Sequence, residues 1–221
     1  RYIMKKIDLK KELKHLYNPP KEIVFVDVPE MNFLMIDGSG DPNTSQEYKD
    51  AIEALYAVSY TLKFMVKKEN EVDYAVMPIE GLWWTDPISQ FTMENKNIWK
   101  WTAMIMQPEY VTEELFNRAV EQVKIKKNLS ALSKIELKSL HEGLSVQLMY
   151  TGSYSAEGPT IEKLHNFIKE NGYELRGKHH EIYLSDPRRS APEKLKTVIR
   201  QPVKREQEVV RTPVRRSVYT S

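Results

Sequence analysis

Cysteine is absent from the 221-residue chain. That removes thiolate nucleophiles, Cys-ligated zinc and disulfides, and it agrees with a cytoplasmic location. No apolar run approaches the ~18 residues of a membrane span. Residues 1–13 carry charges at every second or third position where a signal peptide would be apolar. The expectation is therefore a soluble, non-exported protein with no membrane partner. An excess of one charge is missing too: 33 basic and 31 acidic residues leave a net +2, far from the footprint of a protein that lives on nucleic acid. No direct nucleic-acid partner is expected. The positive excess is local to residues 194–216, and apolar periodicity stops after Val203. Residues 204–221 thus read as a disordered or expression-derived tail, with nucleic-acid contact as the lesser reading. Gly38-Ser39-Gly40 lacks the glycine spacing of a nucleotide loop. No serine sits in a nucleophile elbow. His15, His141 and His165 are scattered and His179-His180 are adjacent, so no metal-ligand spacing appears. No metal and no cofactor are expected.

What the chain does contain is a weak internal repeat, each half reading as strand, Gly/Ser turn, helix, strand. The first copy, about residues 30–107, opens with a strand over 32–37 that runs into Gly38-Ser39-Gly40. A helix capped at Thr44, with Glu47 at capping-box spacing, sets Tyr48, Ala51, Ile52, Leu55, Val58, Leu62 and Met65 on one face. A strand over 74–79, a turn at Glu80-Gly81 and a long strand over 98–106 ending at Pro108 complete it. The second copy, about residues 140–203, opens on Leu144 and reaches Gly152-Ser153. Its helix enters through Pro159, buries Ile161, Leu164, His165 and Ile168, and stops at Asn171-Gly172. The strand carrying Glu181, a turn at Asp186-Pro187 and a strand over 195–203 follow. Between the halves, Thr112 caps a linking helix over 112–127 with Leu115, Phe116, Ala119, Val120 and Val123 on one side. The expectation is an α+β fold over residues 1–203, pseudo-twofold, with a groove at the junction.

Two constellations carry chemistry. In His179-His180-Glu181-Ile182-Tyr183 the alternation of a strand puts His179, Glu181 and Tyr183 on one face. A carboxylate held among aromatic rings is desolvated, which raises its pKa and strengthens its attraction for a cation. The second constellation is the clustering of all four tryptophans, Trp83, Trp84, Trp99 and Trp101, around one predicted hairpin. Trp99 and Trp101 share a strand face. Adjacent Trp83 and Trp84 cannot both face one core, so at least one lines a cleft or a surface. Such rings stack on flat ligands and attract cations. Tyr150 is a further candidate wall. Glu80 is placed by the pseudo-symmetry near the same groove as Glu181, where two carboxylates could share acid and base work.

Taken together, the Gly38-Ser39 and Gly152-Ser153 turns, Met77-Pro78-Ile79-Glu80-Gly81-Leu82-Trp83-Trp84, the His179 to Arg189 stretch and Pro192-Glu193-Lys194-Leu195-Lys196-Thr197 resemble the GyrI-like small-molecule-binding family. The resemblance covers roughly residues 7–203 and is to stand-alone bacterial members. It implies duplicated strand-helix-strand-strand units in an antiparallel sheet, with helices on one side and a concave cleft on the other. It also implies binding of hydrophobic, often cationic, drug-like molecules, with the residue matching Glu181 in the cleft. Some stand-alone members hydrolyse the cyclopropane ring of DNA-alkylating compounds, using an aromatic cage. The resemblance places Glu181 in the cleft; with the residue patterns above, Glu181 and Tyr183 are candidate catalytic residues, and Glu80, Trp83, Trp84, Trp99, Trp101, Tyr150, His179, Glu181 and Tyr183 are candidate ligand contacts, in a monomer or homodimer. The alternative is a non-catalytic ligand sensor or a gyrase-inhibitor-like interaction protein.

Overall fold

The computed structural model describes residues 3–86 and 91–207. An N-terminal segment contains β1 (Lys5–Lys6), α1 (Leu9–Glu12), α2 (Lys14–Tyr17) and β2 (Val24–Val28). The first repeat follows as β3 (Met31–Ser39), α3 (Gln46–Asn70), β4 (Val72–Asp73), β5 (Ile79–Trp84) and β6 (Lys100–Gln107). Then α4 (Glu113–Lys126) and β7 (Glu136–Leu140) lead to the second: β8 (Gly143–Thr151), α5 (Gly158–Glu170), β9 (Tyr173–Leu175), β10 (His179–Tyr183) and β11 (Lys196–Arg205). The main sheet is antiparallel, in the order β2-β8-β11-β10-β5-β6-β3-β7. Outward from the β10/β5 boundary the order is β10-β11-β8 on one side and β5-β6-β3 on the other. Each half thus repeats the same unit, related by a pseudo-twofold at that boundary.

Strand alternation gives the sheet two unlike faces. On the first, α3 buries Ala51, Ala54, Leu55, Val58 and Leu62 in a core shared with Leu34, Ile36, Ala103 and Ile105. In the other half α5 sets Ile161, Leu164 and Ile168 against Val146, Leu148 and Ile199. Each valine, leucine or isoleucine among them contributes about 1.5–3 kcal/mol relative to exposure. On the reverse face the N-terminal segment covers the central strands. Tyr17 donates to Glu80 at 2.8 Å, Arg200 Nη2 to the Leu16 carbonyl at 2.8 Å, and Gln147 Nε2 to the His15 carbonyl at 2.6 Å.

Several expectations are corrected in detail. The N-cap of α3 is Ser45, whose hydroxyl accepts from the Tyr48 amide at 3.2 Å, because residues 41–45 fold into a turn that occupies the Thr44 amide with the Asp41 carbonyl. Residues 74–78 are not a strand. Pro78 has no amide to donate to a ladder, and pairing starts at Ile79. Glu80 and Gly81 therefore lie inside β5, opposite Ile182 and Glu181, and form no turn. The last strand outruns the expected boundary at residue 203: Lys204 and Arg205 pair with Glu174 and Tyr173 of β9, where Lys204 meets Glu174 at 3.2 Å and Arg205 lies over the Tyr173 ring. The rest of the proposed tail, residues 208–221, lies outside the described residues. The cleft lies between α3 and the start of α5 on the helix-bearing face, not on the opposite one, because the N-terminal segment covers the central strands behind it. Among the described residues no helix is long and apolar enough to cross a membrane.

The reverse face is held by buried charge. His180, at 0% exposure, lies 2.8 Å from Glu80 and 2.8 Å from Glu142, and Arg200 reaches Glu142 at 3.3 Å. Burial alone would lower the His180 pKa, but Glu142 and then Glu80 outweigh it and raise it to about 9. For Glu142, burial would raise the pKa, and His180 and Arg200 overcome it to bring it down to about 2. The signs define a window. The His180 contribution is complete below the ordinary imidazole pKa near 6.5 and is lost as pH rises through about 9. The Glu142 contribution is complete above the ordinary carboxylate value of 4.5 and is lost as pH falls through about 2. Melting temperature measured against pH should be highest between these ordinary values and fall on the alkaline side, the His180 share amounting to on the order of 3 kcal/mol.

Candidate ligand cleft and carboxyl pair

The β10/β5 boundary that relates the two repeats is also the floor of a cavity of about 1150 Å³. That exceeds the usual range of ~300–1,000 Å³ for small-molecule sites and leaves room for a multi-ring ligand. From the sheet come Trp83, Glu181 and Tyr183, which alternation sends to one face. Trp99, just before β6, adds a second indole. Along one flank of α3, Tyr48, Ile52, Tyr56 and Tyr60 recur every fourth residue and form a wall, and the second repeat closes the site with Tyr154 and Glu157.

The rings hold one another. Trp83 lies 5.6 Å from Tyr48 and 5.5 Å from Trp99 between ring centroids, Trp99 stacks on Phe91 at 4.9 Å, and Tyr154 meets Tyr183 edge-on at 5.6 Å. The indole N–H of Trp83 donates to the Tyr183 hydroxyl at 3.0 Å and that of Trp99 to the Thr92 carbonyl at 3.0 Å, so the polar edges are satisfied within the wall. Gly81 sits directly across from Glu181. A Cβ there would come within 2.6 Å of Trp83 Nε1, so only glycine lets that ring lie back along β5.

The electrostatic centre is a pair of carboxyl groups. Glu181 is 6% exposed and Glu157 is 2% exposed. Glu157 is the residue before α5, a position where a carboxylate ordinarily caps the helix, yet its side chain makes no cap hydrogen bond. It turns into the cleft beside Glu181, while its Oε1 stays buried without a partner. Burial, then the charge and hydrogen bond of Glu181, push the Glu157 pKa up to about 10. For Glu181 burial also acts upward, but the hydrogen bond and charge of His179, 2.8 Å away, and the bond from Glu157 bring it below the ordinary value. The two shifts run in opposite directions, so the pair is disposed to share one proton, with Glu157 favoured as the protonated member and Glu181 as the charged one. Tyr183 is pushed up by burial first and by Glu181 second, so its phenol stays protonated.

The sequence-based candidates thus divide. Trp83, Trp99, Glu181 and Tyr183 line the cavity, and His179 stands behind Glu181 as its hydrogen-bond partner. Glu80 does not reach the groove: it is fully buried on the reverse face, one residue out of phase with the cleft side of β5. Trp84 is on that reverse face too, with Lys178 3.5 Å above its ring. Trp101 is at 0% exposure in the core, edge-on to Tyr48 at 5.1 Å. Tyr150 packs beside α5 and donates to the Ser153 carbonyl at 2.9 Å. Sequence reasoning missed Glu157, Tyr48, Tyr56 and Tyr154. The available signal for Glu157 was a carboxylate immediately before Gly158-Pro159, and for the tyrosines a stripe on the flank of the apolar face of α3.

Residues 21–204 match the GyrI-like small molecule binding domain. The chain belongs to the GyrI-like family. An uncharacterized conserved protein from Listeria innocua is 42% identical, with a TM-score of 0.83 over 90% of this chain and 100% of that one. A hydrolase from the same organism is 41% identical with a TM-score of 0.81, and another is 40% identical with a TM-score of 0.79, both with the same coverage. No curated protein sequence matches the chain. The GyrI-like assignment makes this a small-molecule-binding domain, and among the described residues the cavity over the β10/β5 boundary has the volume for a ligand.

Proposed function

We propose that this GyrI-like protein is a cytoplasmic xenobiotic-protection protein. It captures hydrophobic, aromatic or cationic drug-like molecules and hydrolyses a strained electrophilic ring, such as a cyclopropane conjugated to a dienone. The observation that carries the reading is the placement of two buried carboxyl groups, Glu157 and Glu181, side by side at an aromatic cavity, with His179 2.8 Å from Glu181; their surroundings push the two pKa values apart, Glu157 up and Glu181 down. Two similar carboxyl groups held in opposite protonation states supply an acid and a base at the same pH. The two Listeria relatives described as hydrolases support a reaction over simple capture.

In the proposed step Glu181 takes a proton from water as the water oxygen bonds to a ring carbon. The cyclopropane carbon–carbon bond breaks, and its electrons flow into the dienone, which becomes a phenolate. Tyr183 already accepts from Trp83 and keeps its own proton for a hydrogen bond to that oxygen. Trp83 and Trp99 stabilise positive charge developing at the attacked carbon. Glu157 gives its proton to the phenolate, Glu181 returns one across the pair, and the sum is the addition of one water.

The test is liquid chromatography with mass detection of a cyclopropane-containing alkylator incubated with the protein. A water-added product formed over many turnovers supports hydrolysis. Intact compound that co-elutes with the chain supports a second reading, capture without turnover, which the permissive aromatic walls would also serve. Turnover should be flat near neutrality. It should fall on the acid side as Glu181 protonates, below the ordinary carboxylate value of 4.5, and on the alkaline side as Glu157 ionises at about 10. Glu157→Gln should abolish the alkaline limb.

A further inference from the structure

The proposed chemistry makes no direct use of the ionic array behind the sheet, yet that array is built on the same strands. His180 is fully buried, with Nε2 2.8 Å from Glu80 Oε1 and Nδ1 2.8 Å from Glu142 Oε1. An ionised carboxylate only accepts hydrogen bonds, so both ring nitrogens must donate, which is the pattern of an imidazolium. Glu80 belongs to β5 and is also held by the Tyr17 hydroxyl at 2.8 Å, while Glu142 is also held by Arg200 of β11 at 3.3 Å. His180 is the chain neighbour of Glu181, and strand alternation sends their side chains to opposite faces.

We propose that His180 is a positioning residue for Glu181: clamped between Glu80 and Glu142, it ties β10 to β5 and sets a positive charge directly behind the cleft carboxylate. The inference rests on the reading of Glu181 as the charged member of the pair. Within the cleft, Glu181 faces His179, Glu157, Tyr183, Tyr48 and Tyr154. Behind the sheet, His180 faces Glu80, Glu142, Arg200 and Tyr17. The charge of His180 is among the influences that lower the Glu181 pKa against burial. The two phenols at the edges of the array are pushed the other way by burial, so neither adds charge of its own.

An electrostatic role and a scaffolding role separate by sign. The side-chain carboxyl carbons of uniformly 13C-labelled full-length protein are titrated by NMR, the Glu181 resonance being assigned by its loss in Glu181→Gln. His180→Gln removes a positive charge and should move the Glu181 midpoint up by on the order of one pH unit, the effect of one nearby unit charge in a buried setting. Glu142→Gln and Glu80→Gln each remove a negative charge and should move it down. Shifts of the same sign in all three variants, or no shift in a folded His180→Gln, would overturn the proposal. Should His180→Gln not fold, the two carboxylate variants decide: both midpoints must fall, and a rise or no movement refutes it. The titration needs no ligand, so failure to capture or hydrolyse a compound overturns the function reading without touching this one.

Discussion

Glu181→Gln should lower turnover of a cyclopropane-bearing electrophile by ~10²-fold or more, the usual contribution of a positioned general base, while the fold and the cavity remain. Glutamine keeps the shape and a hydrogen bond to His179 but cannot take a proton from water. It should also weaken binding of a hydrophobic cation such as tetraphenylphosphonium by about tenfold or more, since the attraction of two unit charges ~6 Å apart at an effective dielectric near 20 is about 2–3 kcal/mol. An uncharged ligand of similar shape should bind almost as before. A further effect follows from the coupling of the pair. With the neighbouring charge gone, Glu157 keeps the upward push of burial but loses that of the Glu181 charge, so any residual activity should fall on the alkaline side at lower pH than in the wild type. Single-turnover chromatography and fluorescence titration, using Trp83 and Trp99 as reporters, check both halves. Unchanged turnover would remove Glu181 from the mechanism whatever the cavity binds.

Trp101→Ala should cost about 3–5 kcal/mol of stability, the range for emptying a large buried aromatic site, and lower the melting temperature by on the order of 10 °C for a chain of this size. The reason lies in what the ring touches. Trp101 is opposite both Gly38 of β3 and Trp83 of β5, and a Cβ at residue 38 would collide with its six-membered ring. The indole therefore lies over β3 in the space the missing side chain leaves, and Tyr48 seals it from above. The same contact explains why Gly38 belongs to the paired strand β3 rather than to a flexible turn, and Gly38→Ala should be destabilising in the same assay. Trp99→Phe, by contrast, keeps an aromatic against Phe91 and the fold with it. It gives up indole area in the cavity, so the expected loss is about 0.5–2 kcal/mol of cation affinity with little change in melting.

Much of this protein was legible in the sequence because local patterns report local constraints. The apolar stripe of α3, the Thr112 cap, Pro159 at the start of α5 and Asn171-Gly172 at its end each follow from backbone hydrogen bonding and from side chains three or four residues apart, and each stands in the structure where expected. So does the duplication, and with it the α+β class. Alternation within β10 was enough to put His179, Glu181 and Tyr183 on one face and to separate His179 from His180. What no pattern along the chain could decide was which strand lies beside which, and in what register. Glu80 and Glu181 seemed equivalent by symmetry, but β5 meets β10 with Gly81 opposite Glu181. A shift of one residue changes the face, and Glu80 became a structural hydrogen-bond partner of Tyr17 and His180 beneath the sheet. Trp83 and Trp101 pair across strands, yet one lines the cavity and the other is sealed, because Gly38 and Tyr48 arrive from distant parts of the chain. Glu157 became half of the carboxyl pair only because the start of α5 is brought over β10, 24 residues further along. The amino-acid order determined the elements, the faces they present and the family they belong to. The tertiary structure alone decided which carboxylates meet, since proximity across the sheet, and the burial that sets their charge, are properties of the assembled layers and not of any one segment.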